Sequence, residues 1–201
     1  MHQELQAVTT IRSGYPFRGK VPISSSSTGI GVLQPKDVDN GVLVGTPAFV
    51  EAGKVTSFRK HLLNHGDILV ANKGVKFANY LYQGNPSSCI ASSSFFVVAA
   101  KEDKIIPEFL QWYLNQSPAK DYLLNHTKDN TAIPSLPKSV LSLLQVPLPP
   151  LNVQHNIVNL LNAIRQEQTL LKDLIKKRDE FADSFAWELI YNYEQSSKKE
   201  H

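Results

Sequence analysis

Up to about residue 150, short apolar runs alternate with turn residues. Beyond it, a single apolar pattern continues without a break. Val42-Leu43-Val44 is cut off by Gly45, and Asp67-Ile68-Leu69-Val70-Ala71 follows Gly66 as a turn leads into a strand. Lys76 to Tyr82 is rich in aromatics, and Phe95-Phe96-Val97-Val98 is a continuous apolar run of the length a buried strand needs. Ser24 to Ser27, followed by Gly29 and Gly31, forms a loop. Pro107 suits the first turn of a helix in which Phe109, Leu110, Tyr113 and Leu114 recur at helical spacing. Pro118 opens a second helix with Tyr122, Leu123 and His126. The polar run Thr127 to Thr131 is a loop, and Lys138 to Leu144 is one more short helix or turn. This order predicts an α+β domain over residues 1–150.

From Asn152 to about Tyr193 there is no proline and no glycine. Ile157, Ile164, Leu171 and Phe185 fall on one seven-residue series, and Leu161, Ile175 and Leu189 on a second, four residues on. Leu160, Leu174 and Phe181 widen the stripe, while Gln168 and Arg178 interrupt it, as polar residues that set register do. The spacing predicts a long coiled-coil helix over 151–193, with Asn152 as N-cap after Pro149-Pro150 and a polar tail at 194–201. A rod of that length spans about 60 Å, against a radius of gyration of about 15 Å for the preceding domain. Much of the stripe therefore stays wet unless a second helix covers it. Ile157, Leu161, Ile164, Leu171, Leu174, Ile175, Phe181 and Phe185 are the predicted dimer face, the alternative being that the helix packs on its own domain.

The composition, 42% apolar and 19% charged, supports a globular core. No run approaches the roughly 18 apolar residues of a membrane span, and the polar start carries no signal-peptide pattern. A cytoplasmic protein with no membrane partner is expected. The one cysteine, Cys89, suits a reducing compartment and is expected as a partly buried strand residue rather than a nucleophile. The net charge of +3 is unevenly placed: residues 1–150 hold 14 basic and 10 acidic residues, residues 151–201 hold 7 and 8. Within 51–80, Lys54, Arg59, Lys60, Lys73 and Lys76 face only Glu51 and Asp67. A positive field of this kind favours phosphate backbones, although a solvated basic face has the same composition.

No catalytic constellation is present. There is no glycine-rich phosphate loop, no Gly-x-Gly-x-x-Gly cofactor run and no Asn/Asp-Pro-Pro-Tyr methyltransferase motif. His61 and His65 could share a helix face as metal ligands, but no third ligand accompanies them, and a surface or packing pair is the better reading. Asp67 suits turn formation. No metal, no cofactor and no catalysis are expected.

Two stretches resemble a known family. Ile133-Pro134-Ser135-Leu136, then Val146-Pro147-Leu148-Pro149-Pro150-Leu151, then Gln154 and Ile157, resembles the end of a type I restriction–modification target recognition domain as it enters its conserved helix. Val153 stands where that family usually has Glu. Val8 to Phe17, with Ile11, Ser13-Gly14 and Pro16-Phe17, resembles the opening of such domains, and Gly66-Asp67-Ile68-Leu69-Val70 with Lys73-Gly74 resembles their central strand. Typical members carry two recognition domains and two helices, so the chain is similar to a half-length specificity subunit. The resemblance implies one domain that reads a short half-site of double-stranded DNA and a helix that spaces two such domains in a homodimer. It also implies methyltransferase (M) subunits that methylate adenine with S-adenosylmethionine and restriction (R) subunits that translocate and cleave. This chain would supply the address only.

A DNA reader needs groups for phosphates and for base edges. Arg12, Arg18 and Lys20 surround the Tyr15-Pro16-Phe17 turn; Lys54, Arg59 and Lys60 flank an expected hairpin. Asn72, Lys73, Lys76 and Asn79 follow the central strand, and Lys128 and Asn130 lie in the loop before the join. The competing readings are a coiled-coil adaptor whose first domain binds protein, and an enzyme using Cys89 or the histidine pair.

Overall fold

The computed structural model of the chain describes residues 1–19, 21, 29–39, 41–51, 53, 55, 57–74, 77–127 and 134–197, with backbone alone for 193–197. Its contacts divide into two units, Met1–His155 and Asn156–His201. Among the described residues the first unit holds strands β1 (His2–Glu4), β2 (Thr9–Ser13), β3 (Ile30–Leu33), β4 (Val38–Asp39), β5 (Val42–Leu43), β6 (Ala48–Val50), β7 (Ile68–Ala71), β8 (Asn79–Leu81), β9 (Cys89–Ala91), β10 (Phe95–Ala100) and β11 (Gln145–Pro147). Short helices α1 (Leu5–Val8), α2 (Pro107–Leu114), α3 (Ser117–Asn125) and α4 (Lys138–Leu143) accompany them, and α5 runs over Leu151–Ser197. The architecture is the expected α+β domain followed by a long C-terminal helix.

The central sheet has the order β2-β10-β7-β8 and is antiparallel throughout. A second sheet, β6-β3-β9, joins β3 to β9 in parallel. Between them lies a core that takes Leu69, Ala71, Tyr80, Phe95 and Val97 from the first sheet and Leu33, Cys89 and Ala91 from the second. The alternate residues Ile68, Val70, Phe96 and Val98 are buried as well, and α2 packs against β8 and β10. Both faces of β7 and β10 are thus covered, which is why these strands are solid apolar runs rather than alternating ones. A smaller cluster of Ile30, Val32, Val50, Val55 and Ile90 is covered by Tyr15, Phe17, Val21, Phe58 and Leu62.

Gly14 sits where the chain leaving β2 crosses the end of β9. A Cβ there would lie 2.1 Å from the Ser92 carbonyl oxygen and 2.6 Å from that of Ala91, both backbone atoms that cannot yield. Only glycine allows Tyr15 N–H to reach the Ala91 carbonyl at 2.7 Å.

The two ends of the first unit meet. β1 pairs antiparallel with β11, His2 opposite Pro147, and Leu5 N–H donates to the Leu144 carbonyl at 2.9 Å. The polar opening of the chain therefore holds a strand and a helical turn whose Leu5 and Val8 are fully buried.

Helix α5 begins where the spacing predicts, but its cap and its far end differ from the prediction. It starts at Leu151, so Asn152 lies within the first turn and is not the N-cap; the Pro150 carbonyl accepts from Val153 and Gln154 N–H. It continues to Ser197, past the expected boundary at 193. Its first turn is fastened by Gln154, which is completely buried. The Gln154 amide accepts from Ile106 N–H at 2.9 Å and donates to the carbonyls of Pro149 and Lys104 at 2.8 and 3.1 Å. It thereby satisfies the backbone N–H just ahead of α2, where Pro107 opens the helix.

Candidate nucleic-acid interface

Several loops of the first unit converge on the turn Ser92–Ser94, which joins β9 to β10. Ser92 N–H donates to the Leu33 carbonyl at 2.9 Å, Asn72 N–H to that of Ser94 at 2.9 Å, and Gly14 N–H to that of Phe95 at 3.0 Å. Tyr15 bridges Ser92, and the Asn72 amide donates to the Ser93 carbonyl at 2.8 Å. The segment after residue 133 joins the same end: Leu136 N–H donates to the Asn72 carbonyl and Gly74 N–H to that of Pro134, each at 2.9 Å. Arg18, Lys36 and Lys73 are exposed on these loops. Arg59 and Lys60 are exposed on a 3-10 turn, Phe58–His61, beside them. The His61 ring stands edge-on to Tyr15 at 5.2 Å, and Tyr15 to Phe17 at 4.8 Å.

The expected hairpin around Arg59 and Lys60 is therefore a 3-10 turn, entered through Ser57 in the left-handed region at φ 55°. That turn ends at His61, and His65 lies in the separate turn before β7, so the two histidines share no helix face. Burial, then the charges of Arg12 and Lys60, hold His61 below the ordinary histidine range.

Two of the sequence candidates are engaged inside the fold. The Arg12 guanidinium donates to the carbonyls of His61 and Leu62 at 3.3 and 2.9 Å and to Asp67 Oδ2 at 3.1 Å. Asp67 also accepts from Asn64 N–H at 3.0 Å, fulfilling its turn role in the same stroke. Burial pushes the Asp67 carboxyl above its ordinary range, against the opposing pull of the Asn64 N–H and of Arg12. Asn79 is 2% exposed and exchanges amide hydrogen bonds with Asn115 at 3.1 and 2.9 Å. Asn72 is half-buried on the loop end, with Lys73 exposed beside it. Lys20, Lys54, Lys76, Lys128 and Asn130 lie outside the described residues, as does the Ser24–Ser27 loop.

The loop end also holds residues that the sequence did not single out. A cleft of about 370 Å³ is lined by Phe17, Gly19 and Val21, by Gln34, Pro35 and Lys36, and by Ser92 and Ser94. Among the described residues, the buried side-chain atoms without a hydrogen-bond partner are His61 Nδ1, Asn72 Oδ1 and Ser92 Oγ. All three belong to this end of the unit. The available signals were small: the turn triplet Pro35-Lys36-Asp37 between two apolar runs, and three serines between β9 and β10.

Cys89 is fully buried rather than partly so, and burial pushes its thiol up to about 12. Such a thiol holds its proton at neutral pH and makes no nucleophile. Among the described residues no group of three or more His, Cys, Asp or Glu side chains could hold a metal ion, and no helix is long and apolar enough to cross a membrane.

In the second unit the predicted stripe stands open. Ile164, Leu171, Leu174, Ile175, Phe181 and Phe185 are all exposed, and Ile157 and Leu161 half-buried. Trp187, Leu189, Ile190 and Tyr191 extend the exposed apolar residues toward the end of the helix.

A family model described as the type I restriction modification DNA specificity domain matches residues 32–178. Comparison with curated proteins finds no match. Among solved structures, the chain is similar to the HsdS subunit of Thermoanaerobacter tengcongensis, with a TM-score of 0.57 and 17% identity over 86% of this chain and 38% of that one. It is similar to the S subunit of a type I restriction-modification system from M. genitalium, with a TM-score of 0.59 and 14% identity over 88% and 41%. A chain from a structure of type I R-M complex assembly and conformational transition gives a TM-score of 0.64 and 20% identity over 87% and 44%. The chain thus spans about two fifths of the length of these structures, with which it shares a fold.

Proposed function

The chain belongs to the family of type I restriction modification DNA specificity domains, and on that premise we propose that it is a DNA-addressing subunit without chemistry of its own. In this reading the loops around Ser92–Ser94 and the 3-10 turn Phe58–His61 face double-stranded DNA. Arg18, Arg59, Lys60 and Lys73 meet phosphates there, and Asn72 lies among them. Lys20, Lys54, Lys76, Lys128 and Asn130 belong to the same proposed set by their sequence neighbours. Arg12 and Asn79 support the interface from behind, because their side chains are engaged inside the fold. Methyltransferase subunits would carry out methylation and restriction subunits cleavage, at the place this chain selects.

The observation that carries the reading is the family match over both the recognition unit and most of the helix. The open stripe of α5 supports homodimerisation, two copies covering one another's apolar face. Two identical recognition units related by a two-fold axis would require a palindromic target, two inverted half-sites around a gap of unspecified bases. Mapping the bases methylated when the chain is produced with its methyltransferase tests this. A palindromic bipartite site is expected; a site with two unlike halves would mean that the chain works beside a different recognition domain.

A further inference from the structure

The cleft at the loop end has a chemistry of its own. Its rim carries Lys36, exposed on the 3-10 turn Pro35–Asp37. The carboxylate in the same turn, Asp37, is buried and accepts from Gln34 N–H at 2.8 Å, so the charge the turn offers to solvent is that of the lysine. Its wall carries Ser94 and Ser92, the latter 8% exposed with a hydroxyl that has no partner among the described residues. A buried hydroxyl without a partner forfeits a hydrogen bond that water would have given it. Ser92 lines the cleft, where an anionic oxygen would be the acceptor its hydroxyl lacks. Phe17 adds an apolar face to the same space.

We propose that this cleft seats one phosphate of the DNA backbone, held by Lys36 and the hydroxyls of Ser92 and Ser94, with the neighbouring deoxyribose against Phe17. The proposal rests on the reading of the chain as a DNA-addressing subunit, and adds to it a site that none of the sequence candidates among the described residues lines. A lysine and two hydroxyls can share the two non-bridging oxygens of a phosphodiester, each of which accepts more than one hydrogen bond, and contacts of this class fix register on the duplex without reading sequence. At about 370 Å³ the cleft has room for the sugar as well as the phosphate.

The test uses the full chain and a mixed-sequence DNA duplex, with affinity followed against salt. Lys36→Ala should flatten the dependence of log affinity on log salt by about 0.9, the worth of one neutralised phosphate. Ser92→Ala should weaken binding about tenfold on every duplex, as expected for a hydrogen bond to a charged acceptor. It should leave the unfolding midpoint unchanged or raised, because the hydroxyl it removes has no partner among the described residues. If the parent binds and both variants bind like it, the phosphate seat is overturned while the DNA reading stands. If selection from random duplexes returns a different preferred sequence for Ser92→Ala, the cleft reads a base, and the phosphate assignment is overturned. If the parent binds no duplex at any salt, the DNA reading falls and this site with it.

Discussion

The two units spend the same kinds of side chain in opposite ways. In the first, Leu5, Leu69, Phe95, Phe109 and Leu123 are closed off from water by their own unit. In the second, Leu174, Phe181 and Trp187 are 63%, 70% and 71% exposed. The first is a fold that completes itself, with β1 and β11 fastening its ends together. The second is a helix whose stability depends on what covers it, because most of the stabilisation of a helix comes from packing its apolar face. The difference separates residues that make the fold from residues that make an assembly.

The largest effect expected is on the second unit. Ile164→Asp with Leu171→Asp places four charges in the proposed seam of a dimer. With about 1.5–3 kcal/mol for each apolar side chain lost from a buried position, association should fall by at least about 6 kcal/mol. Sedimentation should then show monomers where the parent shows dimers, and a dimer that survives both changes would erase the contrast between the units.

Next in size is a change inside the first unit. Phe95→Ala empties a fully buried position between the sheets and should cost about 3–5 kcal/mol, read from chemical denaturation. Phe185→Ala, made in the monomeric double-Asp background, should move stability by no more than about 0.5 kcal/mol, since Phe185 is 50% exposed. Equal costs at the two positions would mean that the helix is packed like the core.

The smallest effect sharpens the first unit alone. Burial raises the Asp67 carboxyl above its unfolded value, more than the Asn64 N–H and Arg12 lower it. The native state therefore holds that proton more tightly. The stability it contributes is whole below the ordinary carboxylate value of about 4 and is lost as pH rises through the raised value. Asp67→Asn cannot titrate. The stability of this variant relative to the parent should climb as pH rises through that window. A relative stability that falls instead would show the ion pair with Arg12 outweighing burial.

These contrasts were partly legible in the chain itself. β7 and β10 are visible because both faces are buried, which leaves an unbroken apolar run. The helix is visible because a seven-residue period has few other causes. Its ends were less so: the prolines marked the join but not that Pro150 itself, rather than Asn152, would accept the first bonds. β1 and β11 leave no such mark, because each needs a partner more than a hundred residues away and neither is apolar throughout. Arg12 counted as a cation like any other, since a guanidinium folded onto a carboxylate has the same letter as one facing solvent. The loop end is drawn from six separated segments, so its members, Lys36 and Ser92 above all, share no pattern along the sequence. Gln154 stood out through the resemblance alone, and three hydrogen bonds give the physical reason for it.

Cys89 is the sole cysteine of the 201 residues, and it is sealed between the sheets with a thiol raised to about 12. To a maleimide or a disulfide reagent at neutral pH, the surface of the folded chain is therefore blank. A single cysteine introduced at position 102, 172 or 187 would be the only one to take a fluorophore or spin label, with no need to remove the native thiol first. A pair of such labels could report distances across two copies of the helix, or from the first unit to a labelled duplex, against a dark background. The native thiol would answer only on unfolding, so the same reagent would also reveal the fraction of chains that had lost their core.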